Sequence, residues 1–335
     1  MNLGFSLPMA GAWATPDNQV TVARRAEAAG YHSLWVFQRL LYALAPQNDY
    51  PPLPGQPWPK SFESVMDPIV SLAHVATVTS RIRLGTSVLI MPYYTPVLLA
   101  KQIATLDRVC GGRVDLGLGL GWSKDEYEAV GVPYRQRGRR ADEFLKCLKA
   151  IWTEDPVEFR GEFYTVPRSR IEPRPVQRPH PPITIGGYGP TVIRRAVTYD
   201  GFNGGNVPLQ QVAPLVKEIK AAAEAAGRDP RTLQIVSRGS FQLHASPLGK
   251  DRRPLWGTLE EIREDVQRYA EAGLTELFLE ANFDPRGVTL ERALEVLDAL
   301  APSRSAPASR SAPASPGRDE RAGGMGGPSR PPISR

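Results

Sequence analysis

Three glycine-bearing segments carry the residue types and spacing that could do chemistry. In the first, the apolar run Ile183-Thr184-Ile185 leads into Gly186-Gly187-Tyr188-Gly189 and then into Pro190-Thr191. A strand entering such a turn, with a helix opening from it, points backbone N–H groups at one spot. The helix dipole adds partial positive charge there, and glycine lets a phosphate approach the backbone closely. A plain tight turn between strand and helix would have the same sequence, so both readings stand at this point. The second segment is Leu116-Gly117-Leu118-Gly119-Leu120-Gly121-Trp122. Its spacing is G-x-G-x-G rather than the G-x-G-x-x-G of a dinucleotide fold, and it lies at the fourth strand rather than the first. Alternating glycines leave room either for a flat ring against the backbone or for tight packing at a strand end. The third is Leu84-Gly85-Thr86-Ser87-Val88-Leu89, where an isolated glycine in a strand points to a bulge or a close backbone approach.

Acid–base and metal chemistry find little to work with. The histidines are His32, His74, His180 and His244, without H-x-H or H-E-x-x-H spacing. There is no G-x-S-x-G elbow and no P-loop lysine. Loops fit to cradle a cofactor, with few intrinsic catalytic groups, imply that a cofactor carries the hard chemistry. No metal is expected.

The elements that must position these loops alternate along the chain. Strand-like segments at Leu3–Leu7, Ser33–Phe37, Ile82–Leu89, Val114–Leu118, Ile183–Ile185, Leu233–Leu243 and Leu277–Glu280 are separated by helix-like ones. The helical pattern falls at Asn18–Ala29, Pro68–Thr79, Pro96–Val109, Arg139–Trp152, Thr191–Thr198, Gln211–Ala226, Leu259–Ala272 and Leu290–Leu300. Short strands that are apolar on both faces, with helices between them, predict a parallel sheet covered by helices. About eight such units in roughly 300 residues favour an α/β fold of the closed (β/α)8 TIM-barrel type over an open sheet. The long segments Ala43–Phe62 and Glu154–Pro182 break the rhythm. Both carry aromatic residues and are expected to be ordered loop insertions.

The composition divides the chain at residue 302. Residues 1–301 read as the barrel domain. Residues 302–335 are rich in Pro, Ser, Ala, Gly and Arg and are expected to be a disordered tail. The chain's net charge of +6 includes +4 from this tail, which leaves +2 for the domain. A nearly balanced domain argues against a nucleic-acid partner. Cys110 and Cys147 are isolated thiols that fit a reducing compartment. Without a signal-peptide pattern or a long apolar run, the expectation is a cytoplasmic protein with no membrane partner.

The ordered set of motifs resembles the bacterial-luciferase-like monooxygenase family, in its deazaflavin-dependent (coenzyme F420) branch. The pieces are Gly30-Tyr31-His32-Ser33-Leu34-Trp35-Val36, Arg81-Ile82-Arg83-Leu84-Gly85-Thr86, Gly111-Gly112-Arg113, Gly117 to Trp122, Pro173-Arg174-Pro175-Val176-Gln177, and Pro181-Pro182-Ile183 followed by Gly186-Gly187. The resemblance covers roughly residues 1–300. It implies a barrel that binds F420, or alternatively FMN, at the C-terminal mouth. A third-strand bulge with a non-prolyl cis peptide at Ser87–Val88 would back the ring, flanked by Thr86. Leu120 and Gly121 would line the ring. Gly186, Gly187, Tyr188 and Thr191 would hold the phosphate.

Two positions depart from the pattern. The branch often carries Asp-His after the second strand, where this chain has Gln38-Arg39. Its sugar-phosphate dehydrogenases carry a Glu where this chain has Trp122. Arg39 is a poor general base, because a guanidinium stays protonated, but it could bind an anion or polarise a carbonyl. Another possibility is a structural pairing with an acidic neighbour. Arg39 and Trp122 are therefore the candidate catalytic residues, with Trp13 and Tyr42 completing a substrate wall. The leading expectation is an F420-dependent oxidoreductase that transfers a hydride to or from a small organic substrate. The alternatives are an FMN-dependent monooxygenase using oxygen, and a flavin-binding barrel without catalysis. A homodimer is compatible with the family.

Overall fold

The computed structural model describes residues 1–284 and 286–302, and the expected tail from 303 onward lies outside the described residues. Eight strands form the frame: β1 (Asn2–Ser6), β2 (Ser33–Val36), β3 (Arg83–Thr86), β4 (Val114–Gly119), β5 (Ile183–Gly186), β6 (Gly201–Gly205), β7 (Gln234–Ser240) and β8 (Glu276–Glu280). Each pairs in parallel with the next, and β8 pairs with β1, so the sheet closes into a barrel. The closed barrel rather than the open sheet is therefore the architecture.

Helices cover it: α1 (Pro16–Ala29), α2 (Pro68–Ala76), α3 (Pro96–Val109), α4 (Lys124–Ala129), α5 (Arg137–Thr153), α6 (Pro190–Thr198), α7 (Leu209–Ala225), α8 (Leu259–Glu271) and α9 (Leu290–Ala299). Among the described residues, no helix is long and apolar enough to cross a membrane. The starts follow local chemistry. Thr15, Asp67 and Thr95 each accept a bond from a first-turn amide, with proline directly behind them. Thr258 and Glu261 form a reciprocal cap on α8.

One strand has no counterpart in the sequence expectations. Gly201-Phe202-Asn203-Gly204-Gly205 carries three glycines, which depress any strand signal. Packing accounts for two of them. A Cβ on Gly201 would collide with the Gln234 backbone, and one on Gly204 would lie 2.6 Å from both Phe202 and Val207. The insertions are ordered as expected. Within Glu154–Pro182, Val157–Arg160 pairs antiparallel with Thr165–Ser169.

The barrel interior is filled by side chains. Trp35 stacks on Phe278 with ring centroids 5.0 Å apart and planes 16° apart. Gly85 makes room for that indole, since a Cβ there would come within 2.5 Å of the ring. Below this layer, at the N-terminal end of the strands, lie charged groups. Arg83 grips Asp115 through two bonds of 2.5 Å. Glu276 accepts hydrogen bonds from Ser33 Oγ and, at 2.8 Å, from Trp35 Nε1, while His32 stands 3.8 Å away. Burial, with the nearby charge of Asp115, raises the Glu276 carboxyl to about 7; Ser33, Trp35 and Arg83 offset part of that rise.

A carboxyl raised in the folded state stabilises the fold fully below its unfolded value, and that contribution fades as pH rises through the folded value. The Glu276→Gln variant, which cannot ionise, is therefore expected to gain on the parent between pH 5 and pH 8 by on the order of 2 kcal/mol. Urea denaturation of both proteins across that range reads the difference. A gap that stays constant with pH would contradict the assignment.

Candidate functional site

The mouth at the C-terminal strand ends is organised around an irregularity in β3. Gly85 pairs with Asp115, and the chain pairs with β4 again where Leu89 meets Leu118. Four steps along β3 thus match three along β4, so one extra residue bulges out. The Ser87–Val88 peptide in this bulge is cis, as the resemblance implied. Asn203 of β6 reaches across the barrel to hold it. Its Oδ1 accepts from Ser87 Oγ at 2.8 Å, and its Nδ2 donates to the Thr86 carbonyl at 3.2 Å and to Thr184 Oγ1 at 3.3 Å. Thr86 Oγ1 closes the seam to β4 by donating to the Gly117 carbonyl and accepting from its amide.

The alternating glycines of β4 serve this bulge. A Cβ on Gly117 would collide with the Thr86 carbonyl. One on Gly119 would lie 2.5 Å from Val88 Cγ2, and one on Gly121 2.9 Å from Ile90 Cγ2. On β5, a Cβ on Gly186 would lie 2.7 Å from Val88 Cγ1. Of the two readings open for this run, tight packing is what the structure has: the chain's own third strand takes up the room.

On one flank of the bulge lies a buried charge pair. Arg39 Nη2 stands 3.3 Å from Glu126 Oε2, with the two side chains 6% and 0% exposed. Ser123 caps α4 and sets Glu126 in its first turn. Glu126 also accepts from the Leu40 amide at 2.7 Å and from Tyr93 Oη at 3.0 Å. Burial first, and the Glu126 charge second, push the Tyr93 phenol well above its ordinary value, so it stays protonated as the donor. The Arg39 guanidinium stacks 4.6 Å from the Trp122 ring centre, and Nε donates to the Gln38 carbonyl. Gln38 accepts from the Ile90 amide at 2.8 Å and donates to Tyr94 Oη at 2.6 Å. The pair Gln38-Arg39 thus ties the ends of β2, β3 and β4 together. Over it the Ala43–Phe62 insertion lays Tyr50 and Trp58 against Trp122, at centroid distances of 5.2 and 4.8 Å.

The opposite flank holds the glycine turn that the sequence offered as an anion site. Gly187 and Gly189 adopt φ of +127° and +90°, open only to glycine without strain, and nothing lies within 4 Å of where a Gly189 Cβ would be. The start of α6 has no side-chain cap. Among the described residues, the amides of Tyr188, Gly189 and Thr191 have no protein acceptor. Tyr188 Oη donates to the Gly205 carbonyl. Arg238 lies beside Gly205, where a Cβ would come within 2.7 Å of its Nη2, and its guanidinium rests 4.8 Å from the Phe283 ring centre.

The third wall is held by Asn282. Its Oδ1 accepts from the Met9 and Ala10 amides and from Trp13 Nε1, at 2.8, 3.1 and 3.1 Å. Its Nδ2 donates to the Leu7 carbonyl and to Glu280. Burial raises the Glu280 carboxyl; Arg238, Asn282 and Ser6 work against that rise.

The structure brings most of the sequence-derived residues to one rim: Thr86, Ser87 and Val88 on the bulge, Leu120 to Trp122 beside it, Gly186 to Thr191 across from it, and Arg39 below Trp122. Tyr42 joins them through Trp58: it stands edge-on to that ring at 6.0 Å and donates to its carbonyl, and Trp58 packs on Trp122. Sequence reasoning missed Asn203, Arg238, Glu126, Glu280 and Asn282. Asn203 sat in an unrecognised strand. The others are single polar residues without a motif, although acidic or amide residues just past apolar strands were a usable signal.

The model of the family described as luciferase-like monooxygenase matches residues 1–247. The chain belongs to the luciferase-like monooxygenase family. Within reach of this family member is an uncharacterised protein of Mycobacterium tuberculosis, 33% identical over 231 residues that span 66% of this chain and 77% of that one. An FMNH2-dependent dimethylsulfone monooxygenase of Pseudomonas putida is 35% identical over 164 residues, 47% of this chain and 45% of that one. Among solved structures, an F420-dependent secondary alcohol dehydrogenase has the same fold, with a TM-score of 0.72 at 17% identity, covering 89% of this chain and 98% of that one. The likeness to that dehydrogenase is one of fold.

Removing one partner of a buried ion pair leaves the other uncompensated, at a cost of about 3 kcal/mol. Glu126→Gln is expected to destabilise this luciferase-like barrel by about that much, and adding Arg39→Met is expected to restore at least half of the loss. Denaturant midpoints of the single and double variants test this. A single variant within about 0.5 kcal/mol of the parent would show that the pair does not hold the rim.

Proposed function

We propose that the protein is an FMN-dependent oxidoreductase of the monooxygenase type, which oxidises a small organic substrate at the barrel mouth. The observation that carries a phosphate-bearing ring cofactor is the set of unmet donors there. Among the described residues, the α6 start offers amides without acceptors, and buried Arg238 Nε and Arg39 Nη1 have no hydrogen-bond partner. Such donors fit the phosphate and the polar ring edge of a flavin. The sequence-level likeness to an FMNH2-dependent enzyme supports FMN over F420.

In this reading Gly187, Tyr188, Gly189 and Thr191 hold the phosphate. Ser87 and Val88 form the wall behind the ring. Arg238 places positive charge near the mouth, where developing negative charge would be stabilised. Trp13, Trp122 and Phe283 exclude water from the substrate side. Arg39 positions Trp122 and does not transfer protons, because its charge is engaged by Glu126. When bound and reduced, FMN supplies the electrons for oxygen chemistry.

A second reading, hydride transfer with F420, draws on the third-strand bulge at Ser87–Val88 that the resemblance implied. Anaerobic titration with reduced FMN and with F420, followed by oxygen uptake, separates the two. Tighter binding of reduced FMN, with oxygen consumption, is expected. Tighter F420 binding without oxygen uptake would overturn the FMN assignment, and FMN binding without any turnover would leave a flavin-binding barrel.

The phosphate site has its own test. Thr191→Glu adds a negative charge at the N-terminus of α6, which favours the helix but repels an anion. FMN affinity is expected to fall at least about tenfold while riboflavin, which lacks the phosphate, binds as before. Equal losses for both ligands would contradict the assignment.

A further inference from the structure

Outside the mouth, a separate cavity of about 260 Å³ lies between the ends of β6 and β7, the start of α7 and helix α8. Ser240, Arg253 and Tyr269 are among the residues that line it, and none of the lining residues is acidic. Three features give its lining the character of an anion site.

Arg253 rests 5.1 Å from the Trp256 ring centre and, among the described residues, has no acidic partner. The carboxylate next to it in the fold does not neutralise it. Asp265 is taken by Arg252, by Arg268 at 3.1 Å and by the Leu255 amide at 2.7 Å. Ser240, a half-buried lining residue, has a hydroxyl with no hydrogen-bond partner among the described residues. Helix α7 begins at Leu209 behind Pro208 without a side-chain cap, so its first amides and the positive end of a 17-residue dipole lie at the cavity.

The remaining walls, Val207, Pro208, Pro254 and Leu255, are apolar, and the Tyr269 hydroxyl is already engaged with the Val207 carbonyl. One free guanidinium, a few backbone donors and apolar walls match a carboxylate on an apolar body better than a strongly hydrated inorganic ion. We propose that this cavity binds a small organic carboxylate, with Arg253 as its charge partner. The site depends neither on the identity of the ring cofactor nor on the oxygen chemistry.

The test uses benzoate as the probe, with benzamide as its neutral isostere and inorganic phosphate as a second anion. Calorimetric titration is run on the full chain and on the Arg253→Gln and Thr191→Glu variants. Arg253 is exposed and unpaired, so its substitution leaves the fold intact. Benzoate is expected to bind the parent and Thr191→Glu equally, and to bind Arg253→Gln at least about tenfold more weakly. Benzamide and phosphate are expected to bind the parent more weakly than benzoate. Absence of benzoate binding, an unchanged affinity in Arg253→Gln, or equal binding of benzamide would overturn the proposal. Phosphate binding more tightly than benzoate would replace the carboxylate with an inorganic anion. Loss of benzoate binding in Thr191→Glu would move the probe to the mouth. A failure of the flavin reading would leave all these outcomes readable.

Discussion

Asn203 is the interaction on which the mouth depends. A closed parallel barrel fixes the spacing of its strands, so an extra residue in β3 has nowhere to go but inward or upward. One amide side chain, projected from the opposite side of the barrel, accepts from Ser87 and donates to the Thr86 carbonyl and to Thr184. A buried amide in this place must find partners for both ends, and this arrangement of the bulge supplies them. The glycines follow from that arrangement. Gly117 yields to the Thr86 carbonyl, and Gly119 and Gly186 yield to Val88. A sequence pattern that looks like a ligand loop is, at β4, the imprint of a neighbouring strand.

Around this fixed centre the rim divides chemically. The Arg39–Glu126 side is neutralised and stacked under aromatic rings, and it acts as a rigid wall. The Arg238 side is not paired in the same way: among the described residues no carboxylate lies within ion-pair distance of its guanidinium, which rests on the Phe283 ring. The uncapped start of α6 lies on this same side of the rim, where Tyr188 donates to the carbonyl of Gly205 beside Arg238. In the proposed reading, this asymmetry gives the mouth one end for the anion and one apolar, aromatic end. A phosphate-bearing ring with an organic substrate beside it needs both ends.

Much of the fold was legible in the sequence because barrel strands and their helices announce themselves by period and by caps. The helix starts expected at Pro68 and Pro96 are those the structure keeps, whereas the first helix begins at Pro16 rather than at the expected Asn18. The sixth strand was not legible. Its glycines are there for packing against Gln234, Phe202 and Val207, and packing partners distant in sequence leave no local trace. The same limit hid the site's supporting residues. Asn203, Glu126 and Asn282 work through partners dozens to hundreds of residues away. The turn at 186–189 was legible as a strand-to-helix turn because its signal is local, residing in consecutive glycines. Arg39 was visible as a departure from a motif, but its role depended on Glu126, which no spacing rule connects to it.

The central claim is that the phosphate of a flavin sits at the start of α6, beside Arg238. A crystal structure of the protein with bound FMN tests it most directly. The account expects the phosphate oxygens within hydrogen-bond distance of the Gly189 and Thr191 amides, with the ring against the Ser87–Val88 bulge. A phosphate held elsewhere on the barrel, or a ring turned away from that bulge, would contradict it.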